Sequence, residues 1–199
     1  MAIPKIEFKY SWPYDDHWRE FYKKDKDYPD YKETEKHILK IKKEWQKGEE
    51  KILKELSKVS GLKWQEKIVT CFVVGRCVPF SYPLTMPVYR KYPIDYTIDV
   101  LTHELVHQLF IQGDNERQAD AAWKYFFRKY KKEEFNAIIH VPVHALHYHI
   151  FMKFFGEERL NQEMKSMIGF PDYKRAWDIV LEEGAENIIG EFRKRVSGK

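Results

Sequence analysis

Apolar and polar positions alternate over residues 4–10, where Ile6, Phe8 and Tyr10 share one side, and this period of two predicts a strand. SWPYDD then reads as a turn. Residues 13–30 are aromatic, charged and broken by proline, and read as an irregular stretch with at most one helical turn. From about 31 to 60 the period changes. Ile38, Ile41, Trp45, Ile52, Leu56 and Val59 recur at spacings of three, four and seven, which predicts one long amphipathic helix, bent near Gly48 and stopped at Gly61. KIVTCFVV (67–74) is a β-branched, continuous run and predicts a buried strand. VPFSYPLTMPVY (78–89) is extended but carries three prolines, which confine it to an edge strand or loops.

Pro93 suits the first position of a helix reaching about 111, with Ile94, Ile98, Leu101, Leu105 and Leu109 on one face. Gly113 breaks it, and Asp114 or Asn115 can cap the next helix, 115–131, with Ala119, Ala122, Trp123 and Phe126 inward. Residues 134–154 predict a histidine-rich apolar helix interrupted near Pro142, and 172–196 one or two helices around Gly184. Neither a repeat nor a linker composition divides the chain. The expectation is one α+β domain over 1–199, with a small mixed sheet and a backing helix in 1–92 and helices in 93–199.

Composition narrows the function classes. An apolar share of 43% can bury a core, so the chain is not of the disordered class, and a 16% aromatic share favours dense packing or a ring-lined groove. The net charge of +4 is spread among charges of both signs, so no nucleic-acid partner is expected. No apolar run approaches the length of a spanning helix, so no membrane partner is expected, and the opening residues do not read as a signal peptide. Cys71 and Cys77 lie six apart without a CxxC pattern and read as buried thiols, which suggests a reducing, cytoplasmic setting. The oligomeric state is not legible.

The residues with chemistry are His103-Glu104-Leu105-Val106-His107. Histidines at i and i+4 lie one above the other on a helix, so both imidazoles can reach one cation. Glu104 is rotated about 100° from His103, so it can miss that cation and still reach a water beside it as general base. The spacing is thus a mechanical requirement for metal-assisted hydrolysis.

This motif resembles that of the zincin metallopeptidases, in which HExxH lies on an active-site helix behind a mixed sheet whose edge strand holds substrate in extended form. The resemblance is motif-specific over about 20 residues and elsewhere a match of element order. It implies a zincin-like α+β fold, Zn2+ as cofactor, a peptide or protein substrate and hydrolysis of a peptide bond. Glu116, opening ERQADA (116–121), resembles the ligand helix of the gluzincin branch, with Asp120 orienting a ligating imidazole. The eight-residue gap from His107 is shorter than that branch usually has. The metzincin pattern is absent, because Phe110 and Gly113 stand where its glycine and third histidine should be.

A catalytic zinc needs three protein ligands and an open position. The residues offer His144, from the cluster His140, His144, His147 and His149, or Glu116 as the third, with Asp114 as a lesser option. His140 is then the candidate donor to the oxyanion of the reaction. Phe80–Tyr89 is the candidate substrate edge. Two other readings stand beside the peptidase: a zinc hydrolase or amidase on a non-protein substrate, and a non-catalytic protein whose histidines hold a structural metal or none.

Overall fold

A computed structural model describes residues 3–196, and these form an α+β fold. Four strands make one mixed sheet in the order β1-β2-β4-β3. β1 (Lys5–Lys9) runs parallel to β2 (Ile68–Val74), with Lys5 opposite Ile68 and Lys9 opposite Phe72. β2 runs parallel to β4 (Leu84–Pro87), with Phe72 opposite Thr85. β3 (Phe80–Ser81) closes the order as a two-residue antiparallel edge. The proline-rich segment thus supplies both the edge and an inner strand. β4 keeps that inner place because its single proline, Pro87, is its last residue, where little of the ladder is lost.

The described residues fall into two compact units, one of residues 3–51 and 66–108, the other of 52–65 and 109–196. The first holds the sheet, α1 (Trp12–Phe21), α2 (Tyr31–Trp45) and most of α4 (Ile94–Ile111). α1 replaces the expected turn and irregular stretch with a ten-residue helix, entered through Ser11 and a proline in its first turn. Its carboxylate Asp15, 1% exposed, accepts from Gly75 N–H at 2.7 Å and from the hydroxyls of Tyr28 at 2.7 Å and Tyr10 at 3.0 Å. Burial and this hydrogen bond raise both phenols, Tyr10 to about 12, so they remain donors. α2 starts at Asp30, whose side chain accepts from Glu33 N–H at 2.8 Å.

The expected single helix over 31–60 is two, α2 and α3 (Glu49–Ser60), parted at 46–48, where Gly48 had predicted a bend. Its stripe survives the break, since Ile41, Trp45, Ile52, Leu56 and Val59 are all buried.

In the second unit α6 (Phe135–Ile150) packs on α8 (Pro171–Glu183) and α9 (Ala185–Val196), and α5 (Asn115–Lys129) packs on α9. Helix α6 continues through Pro142 and passes into a π-helical turn, Phe151–Phe155, instead of breaking at the proline. α7 (Glu157–Ser166) was not anticipated. Asn115 fixes the end of α4. Its Nδ2 donates to the carbonyls of Leu109 at 2.7 Å and Lys63 at 2.8 Å, meeting a helix-terminal acceptor left over by the ladder. Among the described residues no helix is long and apolar enough to cross a membrane.

Candidate metal centre

Helix α4 carries the motif. It was expected to bury one apolar face, yet from Thr97 to Phe110 every residue but His107 is buried. A helix enclosed on all sides must match its polar groups internally. Thr102 Oγ1 donates to the Ile98 carbonyl at 2.7 Å. The Gln108 amide donates to the Ser81 carbonyl, which ties the edge strand β3 to the helix one residue past His107.

The Nε2 atoms of His103 and His107 stand 3.2 Å apart, with ring centroids at 5.0 Å. Two nitrogens each about 2.05 Å from a tetrahedral zinc would be about 3.3 Å apart. The pair therefore already has the nitrogen spacing of one edge of such a site. Ligand atoms of His103, His107 and His140 all lie within 4.8 Å of one another. His140 is suited to the role chemically. Its Nδ1 lies 2.7 Å from the Asn136 carbonyl, which can only accept, so Nδ1 carries the proton and the neutral ring keeps its lone pair on Nε2. Burial lowers its pKa below the usual histidine value, which favours that neutral form.

Glu104 is buried, and burial pushes its pKa up to about 8. The thiols of Cys71 and Cys77 are raised as well, chiefly by burial, and the Glu104 charge adds to the effect on both. Both cysteines are free, Cys71 buried and Cys77 half-buried. Glu104 thus faces an apolar, proton-holding environment that penalises its anion unless a cation stands near.

Of the remaining candidates His144 is the neighbour of His140 on α6, with ring centroids 5.4 Å apart. His144 stacks on Trp177 at 4.3 Å and lies 5.8 Å from the Tyr173 ring; it is not among the three grouped histidines. His147 packs on Phe151 at 4.6 Å. His149 bridges Glu55 and Glu186 at 3.0 and 2.6 Å. Glu116 is exposed in the first turn of α5, and Asp120 is exposed and pairs with Lys124 at 2.7 Å. Asp114 pairs with Arg117 at 3.1 Å. Gln108 was not singled out from the sequence, and Cys77, read there as a buried thiol, is half-buried. The one signal for Gln108 was a polar residue on a helix whose neighbours are apolar. Comparison with protein-family models, with curated proteins and with solved structures found no match.

Proposed function

We propose that this chain is a zinc-dependent hydrolase, a peptidase of the zincin type, with His103, His107 and His140 as the ligands and Glu104 as the general base. The observation that carries the reading is the 3.2 Å spacing of the two Nε2 atoms on one helix, with a third imidazole in reach and set in the required tautomer. His140 thereby takes the ligand role expected of His144, and the oxyanion donor is left to other groups. When bound, zinc supplies positive charge that acidifies an attacking water and draws Glu104 toward its carboxylate form.

The chain's own groups do the rest. Glu104 accepts the proton at a carboxylate oxygen and returns it to the leaving amine, as a base of raised affinity is suited to do. Gln108 holds the β3 edge beside the helix, and that edge offers backbone groups to an extended segment. The mixed sheet with an antiparallel edge, preceding the motif helix, supports a peptide over a small amide.

A second reading draws on the same distance. At 3.2 Å one imidazole N–H can donate to the other, so the pair can stand without a metal in a non-catalytic protein. Metal content decides between them. Protein expressed with ample zinc and then dialysed should hold about one zinc per chain and should cleave a peptide mixture, with cleavage abolished by a chelator and restored by zinc. Folded protein free of zinc would sink the metal reading, and zinc without cleavage would sink the peptidase.

A further inference from the structure

On the first unit, α2 and the segment from Val88 to Ile94 line an open-sided cavity of about 460 Å³ that includes none of the motif residues. That volume falls in the range of small-molecule sites. Glu33, Lys36, His37 and Lys40 line it from α2, at spacings that put them on one helical stripe. Val88, Tyr89, Arg90, Tyr92 and Ile94 line it from the other side.

The charges do not cancel. Arg90 grips Glu33 through Nε and Nη2, a fork on a carboxylate, so those two neutralise each other. Lys36 and Lys40 are exposed and make no ion pair among the described residues, which leaves the cavity with two compact positive charges. Between them sits His37, 8% exposed, whose Nε2 has no hydrogen-bond partner among the described residues. An unmet polar atom in a buried place is costly and is the kind of group a ligand satisfies. Lysines act on phosphate as point charges, whereas a carboxylate is better met by an arginine fork, and here the one arginine is occupied. The far wall is apolar and aromatic: Val88 is buried, and Tyr92, half exposed, stacks on Tyr96 at 4.4 Å with Tyr89 edge-on to both.

We propose that this cavity binds a small aromatic phosphomonoester, its dianion between Lys36 and Lys40, one phosphate oxygen at His37 Nε2, and its ring against Tyr92 and Val88. The proposal is independent of the hydrolase reading, since none of these residues belongs to the motif.

Titration calorimetry with phenyl phosphate and with inorganic phosphate tests it. Phenyl phosphate should bind the intact chain more tightly than inorganic phosphate does. The double variant Lys36→Ala/Lys40→Ala, altered only at exposed positions, should lose about tenfold or more in affinity. The double variant also separates this cavity from coordination at His103 and His107, which it leaves intact. Equal affinity for inorganic phosphate, unchanged binding by the double variant, or no binding to the intact chain would each overturn the proposal.

Discussion

The Asp15 carboxylate accepts the backbone N–H of Gly75 at 2.7 Å, joining the helix α1 to the chain leaving β2. Sixty residues separate them. Both tyrosine hydroxyls that share the carboxylate come from outside the helix as well. Asp15→Ala leaves a buried amide N–H and the Tyr10 phenol without their acceptor, takes from Tyr28 the shorter of its two bonds and breaks the pair with Arg19, which should cost about 3–5 kcal/mol, as for other broken buried polar clusters. At roughly 2–4 °C per kcal/mol for a chain of this size, thermal unfolding should move down by about 6–20 °C. Gly75→Ala should act on the same joint, because a Cβ there would run into the Tyr28 ring. A melting temperature within a degree of the parent for Asp15→Ala would show that the joint carries no load.

Zinc affinity separates the candidate third ligands. Loss of a group that merely supports a ligand costs about 10–100-fold in affinity, so loss of a ligand should cost more. His140→Ala should therefore weaken zinc binding by more than about a hundredfold, while Glu116→Ala should leave it unchanged. His144→Ala should lower stability through the lost stack on Trp177 and leave the zinc affinity of the folded protein within a few-fold. Competition titration against a chromogenic chelator reads all three. A large loss in His144→Ala with none in His140→Ala would reverse the assignment.

These assignments show what the chain discloses and what it withholds. The pair His103 and His107 is local, since a helix alone brings i and i+4 together, and Leu101, Leu105 and Leu109 announced that helix. β2 was legible because its run of valines and isoleucine suits a pleated, buried surface in any context. The third histidine was not, because the choice among His140, His144 and His147 depends on how α6 is turned, and three histidines spaced i, i+4 and i+7 mark a face without saying which turn meets a ligand. Pro142 misled for a related reason. It sits in the middle of a helix buried from Val141 to His147, and packing keeps the helix continuous where the proline removes one bond. α1 was hidden by composition, for its inward face is only Tyr14 and Trp18, packed on Phe72 and Phe80, with the buried Asp15 between them, while Trp12 and Phe21 are exposed and blur the pattern. Its entry signal, Ser11 before Trp12-Pro13, was present and was outweighed by the charges after it.

Glu104→Gln isolates the base from the ligands. The amide matches the carboxylate in shape and cannot accept the proton, so zinc content and fold should persist while peptide turnover falls by about 10²–10⁴-fold. Removing a buried acid that prefers to be neutral should also cost no stability, and thermal unfolding of the zinc-free variant should match or exceed that of the parent. Turnover retained within a few-fold would take Glu104 out of the mechanism, whatever the metal content.

The acid side of the stability curve should carry the mark of His37. Burial, aided by the positive charge of Lys40, lowers its pKa from 6.5 to about 4, against a smaller opposing pull from Glu33. In the unfolded chain the same ring titrates near 6.5. Between these values the unfolded chain binds a proton that the folded chain refuses, so the contribution is whole above about 6.5 and is lost progressively as pH falls to about 4. The lowered carboxylates Glu7, Glu33 and Glu133 also favour the folded chain, but theirs is present above their usual 4.5 and is lost only below it. In the window from about 4.5 to 6.5 the rise of stability with pH therefore comes from buried histidines, and Glu104, neutral in the folded chain up to about 8 but ionised above about 4.5 in the unfolded one, opposes it. His140, lowered by burial too, acts there with the same sign as His37. His37→Gln, which cannot take the proton, should lower the slope of urea-unfolding free energy against pH in that window relative to the parent, while the terms from His140 and Glu104 stay common to both proteins. Zinc-free protein should be used, since a cation on His140 would add its own proton linkage. An unchanged slope would mean that the folded chain protonates His37 as readily as the unfolded one, and that the ring is not held neutral between its lysines.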